Sequence, residues 1–399
     1  MYYAPAKYAS LTIRTGTNLS MFWFKYKYVS VQGLENVKLP SGTPVALNLT
    51  SSKTYTFTSA KNDSLVLNSG SAIYPLDPYT KQVFVYDGPD TNSPYLGTVL
   101  SFELDQALRN KSSGSTLTLL NVYNETSYSY AMVNDYSDIL KYTSYSFFAF
   151  SQKYPFDNAL NALSGPINGV TFFCVDCQEA YISSLNLLHY PEKDSSIQLQ
   201  PLTPAQNQPV YLTYSSKDFS NQSLPQLIPG NLFTLSTDAN YFAIRLESND
   251  LVRNAWKKPF YGKKGTIFSP SLWTPGANSS FDQRFESSQS VKFTFNVPSL
   301  VINQKGEELR VQIGSSGANS FNTVFNETLS NPGTRVANGT YLEATFSGTS
   351  SKSSTIVTFE MKDPNESTIT TTIKSTTDFS PRGFDSIIIV LPLFFAFFG

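Results

Sequence analysis

The two cysteines of the chain, Cys174 and Cys177, form a Cys-x-x-Cys pair that follows an apolar run at residues 169–173. A strand, a Cys-x-x-Cys pair and a helix in this order occur at thioredoxin-like redox sites. Such a site also needs a βαβ fold that lowers the pKa of the first thiol, and no helical crossover pattern surrounds this pair. A metal site would need two further ligands. The pair therefore predicts a structural disulfide in an oxidising compartment, with redox activity and metal binding as the less favoured alternatives.

The single histidine, His189, would have to serve in any Ser-His-Asp or Cys-His catalytic arrangement. No Gly-x-Ser-x-Gly elbow precedes it, and a locally hydrogen-bonded imidazole is the favoured interpretation. The carboxylate neighbours Glu307 and Glu308, or Asp135 and Asp138, are expected in solvated loops. Residues 262–265 lack the Ser or Thr that follows the lysine of a phosphate-binding loop. The sequence therefore predicts a protein without enzymatic activity, catalytic residues or cofactors.

Short β-strands must position these residues, because apolar and polar side chains alternate between turn signals along most of the chain. Residues 180–188 are the one candidate helix. Aromatic residues make up 14% of the chain and charged residues only 15%, a balance typical of extracellular all-β proteins. The net charge of -1 gives no field that would attract nucleic acid or an anionic membrane surface. We expect an all-β protein that does not bind nucleic acid.

Residues 83–99, VFVYDGPDTNSPYLGTV, are the most informative segment, since they join a buried-type strand to a Gly-Pro turn and a second strand. This arrangement resembles the central hairpin of CUB domains, and more closely that of the CUB-like domains of nematode secreted proteins. Residues 265–273, GTIFSPSLW, are similar to the Gly-x-Ile-x-Ser-Pro opening of CUB domains. The resemblance implies tandem, jelly-roll-like antiparallel β-sandwiches in an extracellular protein.

Three regions repeat one order of strands and turns at spacings of roughly 100–130 residues, about one sandwich each. We therefore expect CUB-like sandwiches over residues 1–140, 141–255 and 256–365, the second of them recognisable only by this repetition. A Ser/Thr-rich stalk over residues 366–386 and an apolar tail over residues 387–399 follow. Two larger units are the alternative.

Many CUB domains bind calcium through an acidic residue shortly before the Tyr-Asp-Gly strand and another in a later loop, because this cation needs several oxygen ligands. The matching positions of the first region are Lys81 and Asn124. In the third region Glu307 matches the first position, but Ser347 and Gly348 occupy the later loop. The departures from the CUB pattern predict that no metal site is present.

The apolar C-terminus is too short to span a bilayer, which takes about 20 residues. An apolar tail behind a polar spacer and a triplet of small residues is the pattern of a GPI-attachment signal. Ser375 is the candidate attachment residue, with Asp378, Ser380 and Gly383 as alternatives. A final buried strand and a membrane-embedded tail are the other interpretations of this segment. We expect a membrane connection through a lipid anchor.

Ten asparagines lie in Asn-x-Ser/Thr sequons, which mark sites of N-glycosylation in a secreted protein. They are Asn18, Asn48, Asn62, Asn110, Asn124, Asn221, Asn278, Asn326, Asn338 and Asn365. The first residues show no signal peptide. Because lipid anchoring requires the secretory pathway, we expect the native start to lie upstream, with the first sandwich truncated.

Together these features predict an extracellular, GPI-anchored or secreted glycoprotein that binds an unknown protein or carbohydrate ligand. The candidate contact loops are residues 87–95, with Asp87 and Tyr95, and residues 263–273, with Trp273. The competing interpretation is an ordinary turn for the first loop and a packing residue for Trp273. The nematode resemblance implies a role in innate immune responses to pathogens. A structural component of a cuticle or glycocalyx, and a carbohydrate-active enzyme with two carboxylates in a cleft, are the alternative functions.

Overall fold

Nearly all segments with alternating apolar and polar residues form β-strands. The computed structural model describes residues 10–365 except 15, 17–20, 22, 26, 27, 50, 74–76, 105–110, 123–126, 162–166, 188–193, 206, 207, 218–220, 240, 316 and 317. Within these residues, 23 strands form five sheets, whereas the longest α-helix has only 8 residues. The predicted all-β fold is confirmed.

The first region packs two sheets face to face. Its elements are β1 (Glu35–Pro40), β2 (Val45–Ala46), β3 (Lys53–Thr58), β4 (Leu65–Ser71), β5 (Val83–Tyr86), β6 (Tyr95–Thr98), α1 (Val99–Leu104), β7 (Thr116–Asn121), β8 (Ser129–Asp135) and α2 (Tyr136–Ile139). The sheet orders are β1-β3-β7-β5-β6 and β2-β8-β4, with only the β1–β3 pair parallel. Alternate residues of facing strands share one core, including Val83 and Val85 on β5 and Leu65 and Leu67 on β4. This arrangement is a β-sandwich.

The second region is a second sandwich. Its elements are β9 (Ser144–Phe150), β10 (Phe156–Asn161), β11 (Asn168–Cys174), β12 (Ala180–Leu187), β13 (Ser196–Pro201), β14 (Leu212–Ser215), β15 (Gln226–Ile228), β16 (Leu232–Thr237), β17 (Tyr241–Glu247) and α3 (Asp250–Lys257). The sheet orders are β14-β13-β16-β11-β9 and β10-β17-β12-β15. Strands β9 and β11 pair in parallel, and the other pairings are antiparallel. Phe172 and Phe233 of one sheet meet Ile244 and Leu246 of the other in the core.

The third region is a single antiparallel sheet that curls around its own core. Its strands are β18 (Lys264–Phe268), β19 (Phe281–Val301), β20 (Leu309–Ser315), β21 (Ala318–Phe325), β22 (Arg335–Phe346) and β23 (Ser354–Lys362), in the order β18-β23-β19-β22-β20-β21. The rings of Phe295 on β19 and Phe321 on β21 lie 5.6 Å apart. In a flat sheet, strands three positions apart are separated by about 14 Å. The sheet curls because β19, 21 residues long, pairs with β22 through its first part and with β23 through its last.

Buried side chains join the three regions. Trp273 of the third region lies in the core of the second, and Tyr181 of the second lies in the core of the third. Met132 of the first region packs with Phe147 of the second. The chain through residue 364 is accordingly one compact unit with several cores. The expected boundary at 140/141 falls between β8 and β9, whereas the one at 255/256 falls inside α3, whose Trp256 belongs to the third core.

The candidate helix at residues 180–188 was a wrong prediction, because residues 180–187 form strand β12. A β-bulge lies between Ile182 and Ser184, where β12 pairs with β17. The extra residue of a bulge shifts the alternation of side chains by one position. Ala180, Ile182 and Leu185 consequently all reach the same core. Their spacing of two and then three residues is what resembled a helical pattern.

Candidate functional site

The loop at residues 87–95 is an exposed and tightly held turn between β5 and β6. The Asp87 carboxylate accepts a hydrogen bond of 2.8 Å from the backbone N–H of Ser113, so it is not a free ligand group. The Asp87 N–H donates to the Pro94 carbonyl at 2.8 Å and closes the turn. Tyr95 is 37% exposed and its ring lies 5.8 Å from that of Tyr86. Asp87 and Tyr95 thus lie on one rigid, accessible loop, and their contact role stays a prediction.

Residues 263–273 do not form an exposed contact loop. Trp273 is fully buried, with its ring 5.5 Å from that of Phe268 and 5.7 Å from that of Tyr211. Ser269 is also fully buried, and its hydroxyl accepts a hydrogen bond of 2.9 Å from the N–H of Thr355. The contact role expected for Trp273 is therefore corrected. This segment fastens the third region to the second through apolar packing.

Lys263, at the start of that segment, is fully buried and completes the end of a helix. Its Nζ donates to the carbonyl oxygens of Ala255 at 3.2 Å, of Trp256, and of Lys258 at 3.0 Å, at the C-terminus of α3. A cation favours this end of a helix because the last carbonyl groups carry partial negative charge. The Nζ also lies 5.5 Å from the centre of the Phe285 ring. Burial away from water lowers the pKa of Lys263 from 10.5 to about 7.

The two cysteines form a disulfide with a Cα–Cα distance of 5.6 Å. Cys174 is fully buried and Cys177 nearly so, both in the core of the second region. Asp176 between them accepts a hydrogen bond of 2.8 Å from the backbone N–H of Gln152. Cys174, Asp176 and Cys177 form a cluster of potential metal ligands among the described residues. The two sulfur atoms are bonded to each other, so they cannot act as thiolate ligands. The pair is thus a buried structural disulfide.

In the third region, hydrogen-bond donors surround Glu307, the residue at the position that matches the first calcium ligand of CUB domains. Both carboxylate oxygens of Glu307 accept hydrogen bonds, from the backbone N–H groups of Gln304, Thr349 and Ser350 at 2.9–3.0 Å and from the Ser353 hydroxyl. Burial alone would raise the pKa of Glu307, but these hydrogen bonds outweigh it and lower the pKa from 4.5 to about 2. The Glu307 carboxylate thus holds the surrounding loops together, and the absence of a metal site stays a prediction.

In the first region, the residue that matches the first calcium ligand is Lys81, and the nearby acid is used for hydrogen bonds within the fold. Lys81 is exposed, at the end of a 3₁₀-helix over residues 78–82. The buried acid in this neighbourhood is Asp77, which accepts hydrogen bonds of 2.7 Å from the Ser127 hydroxyl and from the Tyr128 N–H. Its carboxylate therefore tethers loops within the first region. Asn124, the second matching position, lies outside the described residues.

The paired carboxylates noted in the sequence serve separate local contacts. Asp135 accepts a hydrogen bond of 3.1 Å from the Ser41 hydroxyl, and Asp138 forms an ion pair with Lys61. Glu308 pairs with Arg310 at 2.8 Å. Asp135, Asp138 and Glu307 are buried rather than in solvated loops, which corrects that expectation for these three residues. The histidine at position 189 and the candidate anchor Ser375 lie outside the described residues.

Seven sequon asparagines lie within the described residues, and all seven are exposed. They are Asn48, Asn62, Asn221, Asn278, Asn326, Asn338 and Asn365. Asn18, Asn110 and Asn124 lie outside the described residues. A glycan is bulky and hydrophilic, so exposure of the amide is a requirement for attachment that these seven positions meet.

A cleft of about 490 Å³ lies where the first and second regions meet, and we call it the junction cleft. One wall is the end of β4 with Phe102 of α1, and the other is β9 with the start of β10. Strands β4 and β9 are edge strands of their sheets. Their backbones touch at Gly70, where a Cβ atom would lie 2.7 Å from the carbonyl oxygen of Phe147. The absence of a side chain at Gly70 lets the two regions approach closely enough to enclose the cleft.

Several aromatic residues border the cleft. They are Phe102, Tyr145, Phe147, Phe148, Tyr154 and Phe156, of which Tyr145 and Phe147 are 0% and 2% exposed. The rings of Phe148 and Phe156 lie 5.0 Å apart, and Phe156 continues to Phe172 in the second core at 5.0 Å. Tyr154, 38% exposed, lies at the rim. Because the walls are extensions of a packed core, the cleft is preformed.

Polar side chains complete the lining, and two of their atoms have no partner. These residues are Asn68, Ser69, Ser71, Ser146, Asp157 and Asn158. The Asn68 Nδ2 and the Ser69 Oγ have no hydrogen-bond partner among the described residues, and both atoms are buried rather than exposed to the cleft. A buried polar atom left unpaired costs about 1–3 kcal/mol. Asp157 is the one carboxylate of the described lining, and it pairs with Arg245 at 3.5 Å.

The junction cleft was missed from the sequence because its walls come from residues 68–73, 102, 145–149 and 154–158. The distance between these segments along the chain hides their meeting in space. One local signal was present: β4 begins with the apolar Leu65, Val66 and Leu67 but ends in Asn, Ser, Gly and Ser. These four residues border the cleft.

Comparisons with known proteins leave the family open. No protein-family model matches the chain, and no curated protein does. The CUB1-EGF-CUB2 domain of human MASP-1/3 is similar over 51% of this chain and 99% of that chain, with 10% identity and a TM-score of 0.18. The Sulfolobus Turreted Icosahedral Virus structure matches over 77% of this chain and 81% of that chain, with 7% identity and a TM-score of 0.16. BuGH86 in complex with neoagarooctaose covers 53% of this chain and 33% of that chain, with 10% identity and a TM-score of 0.12.

TM-scores this low carry no argument about fold or function. The β-sandwich architecture rests on the sheets and cores described above, and the resemblance to CUB domains stays a prediction. Among the described residues, no helix has the length and apolar character needed to cross a bilayer.

Proposed function

We propose that this chain is a non-enzymatic, CUB-like glycoprotein of the cell surface or extracellular space that binds a ligand in the junction cleft. The observation that carries the proposal is the cleft itself, a space of about 490 Å³ between two packed regions that aromatic and polar residues border. Ligand sites are typically mostly apolar cavities of about 300–1,000 Å³ with a few placed polar groups, often where domains meet.

The chemistry of the cleft favours binding over catalysis. Hydrolysis of a glycosidic bond generally needs two carboxyl groups that flank the bond. The described lining supplies only Asp157, which is engaged by Arg245. A carbohydrate-active enzyme would therefore need a second acid from elsewhere, and binding without turnover is the simpler function for this arrangement.

Binding is tested with two variants at opposite edges of one sheet. Ser146→Trp on β9 fills the cleft, whereas Thr213→Trp adds the same ring to the exposed face of β14. We expect a ligand found by thermal shift in a panel of saccharides, peptides and nucleotides to stabilise the wild type and Thr213→Trp, but not Ser146→Trp. Equal stabilisation of Ser146→Trp, or no stabilising compound in the panel, would contradict the proposal. Conversion of the ligand, detected by mass spectrometry, would contradict the non-enzymatic part.

The cell-surface part of the proposal is supported by the seven exposed sequon asparagines and by the buried disulfide. Expression in animal cells behind a secretion signal should give a protein whose mass falls after peptide-N-glycosidase treatment. Release from the cells by phosphatidylinositol-specific phospholipase C would support the lipid anchor, and Ser375→Pro should reduce it. An unglycosylated cytosolic product would contradict the whole localisation. A role in innate immunity rests on the sequence resemblance alone and is tested by induction of the transcript during infection.

A further inference from the structure

The turn at residues 260–263 presents two aromatic residues to solvent. It follows α3, and the N–H of Lys263 donates to the Phe260 carbonyl at 3.1 Å across the turn. Gly262 has a φ of +90°, as the third residue of a type II turn requires. Turn positions are commonly taken by small or polar residues. Phe260 and Tyr261 are instead 40% and 44% exposed, so large parts of both side chains face water.

Hydrogen bonds fix this turn on two sides. The Gly262 N–H donates to the Met361 carbonyl at 2.7 Å, and the Met361 N–H donates to the Lys263 carbonyl at 2.8 Å. The Tyr261 hydroxyl donates to the Ser290 carbonyl at 3.3 Å. The turn therefore lies against β23 and β19. The fold itself thus holds both aromatic residues at the surface.

Two lysines precede the turn, and the helix does not need their charge. Lys257 and Lys258 are exposed at the end of α3, and neither forms an ion pair among the described residues. Lysines at this end of a helix usually complement the last carbonyl groups. Here the buried Lys263 Nζ already bonds to the carbonyls of Ala255 and Lys258, at 3.2 and 3.0 Å. We call residues 257–262, KKPFYG, the basic aromatic loop.

The basic aromatic loop lies where the chain leaves the third region. Residues 262 and 263 pair with Met361, and β23 ends at Lys362. Only ten residues lead from Asn365 to Ser375, the candidate anchor residue. Ten residues span at most about 36 Å, whatever their conformation. A lipid on Ser375 would therefore keep this end of β23, and the loop beside it, close to the bilayer.

Acids of the neighbouring elements are paired with other cations. Glu360 on β23 pairs with Lys264 at 3.3 Å and with Lys362 at 3.2 Å. Asp250, at the start of α3, pairs with Arg253 at 2.8 Å. Because the whole chain has a net charge of -1, attraction of the loop to an anionic surface acts only at short range. The anchor must bring the loop to the bilayer before its lysines can act.

The combination of side chains fits a bilayer surface better than a protein surface. Lysine is depleted from protein–protein interfaces. At a bilayer interface, aromatic rings lie at the level of the headgroups. A lysine stem there lies along apolar surface while its ammonium group stays in the polar layer. The basic aromatic loop supplies two aromatic rings and two ammonium groups within six consecutive residues.

We propose that the basic aromatic loop contacts the headgroup layer of the bilayer to which the chain is anchored, with Phe260 and Tyr261 among the headgroups and Lys257 and Lys258 at lipid phosphates. This inference rests on the lipid anchor of the proposed function and adds a second membrane contact. An anchor alone limits the distance of the chain from the bilayer, whereas this contact also limits the orientation of the third region.

Site-specific fluorescence tests the contact on the anchored protein. The chain is purified from animal cells with its lipid and reconstituted into vesicles of phosphatidylcholine and phosphatidylglycerol. It carries a nitrobenzoxadiazole dye on Phe260→Cys, and labelling is specific because Cys174 and Cys177 are joined in a buried disulfide. We expect blue-shifted emission that a lipid with a nitroxide near its headgroup quenches.

The matched position for the dye is Ser351→Cys, at an exposed residue before the start of β23. The nine residues of β23 separate this position from the basic aromatic loop by about 30 Å. The dye at residue 351 should stay in water and escape quenching. Equal quenching at both positions, or no quenching at residue 260 in vesicles that carry the protein, would overturn the inference.

Charge variants of the Phe260→Cys protein test the two lysines. Each lysine near an anionic surface strengthens the attraction about fivefold, so Lys257→Gln with Lys258→Gln should lower the ratio of bound to free loop about 30-fold. Lys305→Gln with Lys352→Gln removes the same charge from exposed residues near the opposite end of β23 and should change nothing. An equal effect of the two pairs, or no effect of the first, would overturn the contact of the lysines with the phosphates.

The outcomes separate this inference from the proposed function. A dye that stays in water on protein that floats with the vesicles would overturn the loop contact and leave the lipid anchor intact. A chain that carries no lipid and does not associate with vesicles would overturn both. A dye that responds to heparin but not to vesicles would replace the bilayer with an acidic polysaccharide and so overturn the inference. Ligand binding in the junction cleft is measured separately and depends on none of these results.

Discussion

Buried polar side chains differ in how fully their hydrogen bonds are satisfied. The Glu307 carboxylate, 3% exposed, accepts hydrogen bonds from the loops around residues 304 and 350. The Asn68 Nδ2 and the Ser69 Oγ have no partner within the described residues. Burial alone therefore does not give a polar side chain a structural role, whereas the contacts of Glu307, which join two loops, do.

Trp273 and Trp23 provide a test of how much a buried tryptophan contributes to stability compared with an exposed one. Trp273 is fully buried and Trp23 is 98% exposed. We expect Trp273→Ala to lower the free energy of unfolding by about 3–5 kcal/mol, because a buried aromatic ring is replaced by a cavity. Trp23→Ala should change it by less than about 0.5 kcal/mol. Urea unfolding followed by circular dichroism measures both, and similar values for the two variants would contradict the buried placement.

The hydrogen bonds of Glu307 make a prediction about acid stability. The pKa in the folded chain, about 2, lies below the ordinary value of 4.5. The stabilisation is therefore fully present above about pH 4.5 and is lost as the pH falls towards 2. Glu307→Gln should lower the free energy of unfolding at pH 7 by about 1.5–3 kcal/mol and flatten the loss of stability below pH 4.5.

Glu308→Gln is the control for this change. Glu308 is the adjacent acid, and its ion pair with Arg310 is exposed. Exposed pairs of this kind contribute about 0–1 kcal/mol. The midpoints of urea unfolding between pH 3 and pH 7 compare the two variants. If Glu307→Gln lost stability below pH 4.5 as steeply as the wild type, the carboxylate would not have the contacts described.

At the scale of elements, strand type followed from the sequence better than strand geometry. The buried-type strand expected at the start of residues 83–99 forms β5, Val83–Tyr86. Alternation reveals such strands because it depends on neighbouring residues only. Bulges break that alternation, which is why β12 resembled a helix and the continuity of β19 was not anticipated. The pairing that produces a bulge involves residues distant along the chain.

The C-terminal end of helix α3 is stabilised by Lys263, which lies just before strand β18. Because burial lowers the folded pKa of Lys263 to about 7, the unfolded chain binds more protons between about pH 7 and 10.5. Stability should therefore rise with pH in this window, by up to about 1.4 kcal/mol per pH unit. Lys263→Met should remove the rise and also lose three hydrogen bonds to the end of α3.

Lys264→Met controls for the loss of a positive charge, since Lys264 is exposed and pairs with Glu360 at 3.3 Å. Unfolding in urea between pH 7 and pH 9 keeps the measurement below the range where tyrosines ionise. The wild type and Lys264→Met should show the same slope. A slope retained in Lys263→Met would assign the pH dependence to another group.

At the scale of the whole molecule, the cleft exists because two sandwiches share a boundary. The sequence allowed the strand-rich character of each region to be anticipated, since strands are local patterns, but the third region is a single curled sheet where a sandwich was expected. It gave no access to the junction, where β4 from the first sandwich meets β9 from the second. Which faces of two sandwiches adjoin depends on packing between distant residues such as Met132 and Phe147. A cleft formed between regions is therefore harder to predict than the strands within them.

Gly70 tests whether this junction shapes the cleft. Gly70→Ala would place a methyl group 2.7 Å from the Phe147 carbonyl oxygen, on a backbone that cannot yield as a flexible side chain would. We expect a loss of about 1–3 kcal/mol of stability and weaker binding of any cleft ligand, because β4 and β9 must move apart. Gly114→Ala is the control, since nothing lies within 4 Å of its added Cβ, and it should be neutral or slightly stabilising. Binding is compared by calorimetry under conditions in which all variants are folded. If Gly70→Ala bound ligand as tightly as Gly114→Ala, the site would not depend on the contact between the two sandwiches, and the ligand would have to bind elsewhere on the molecule.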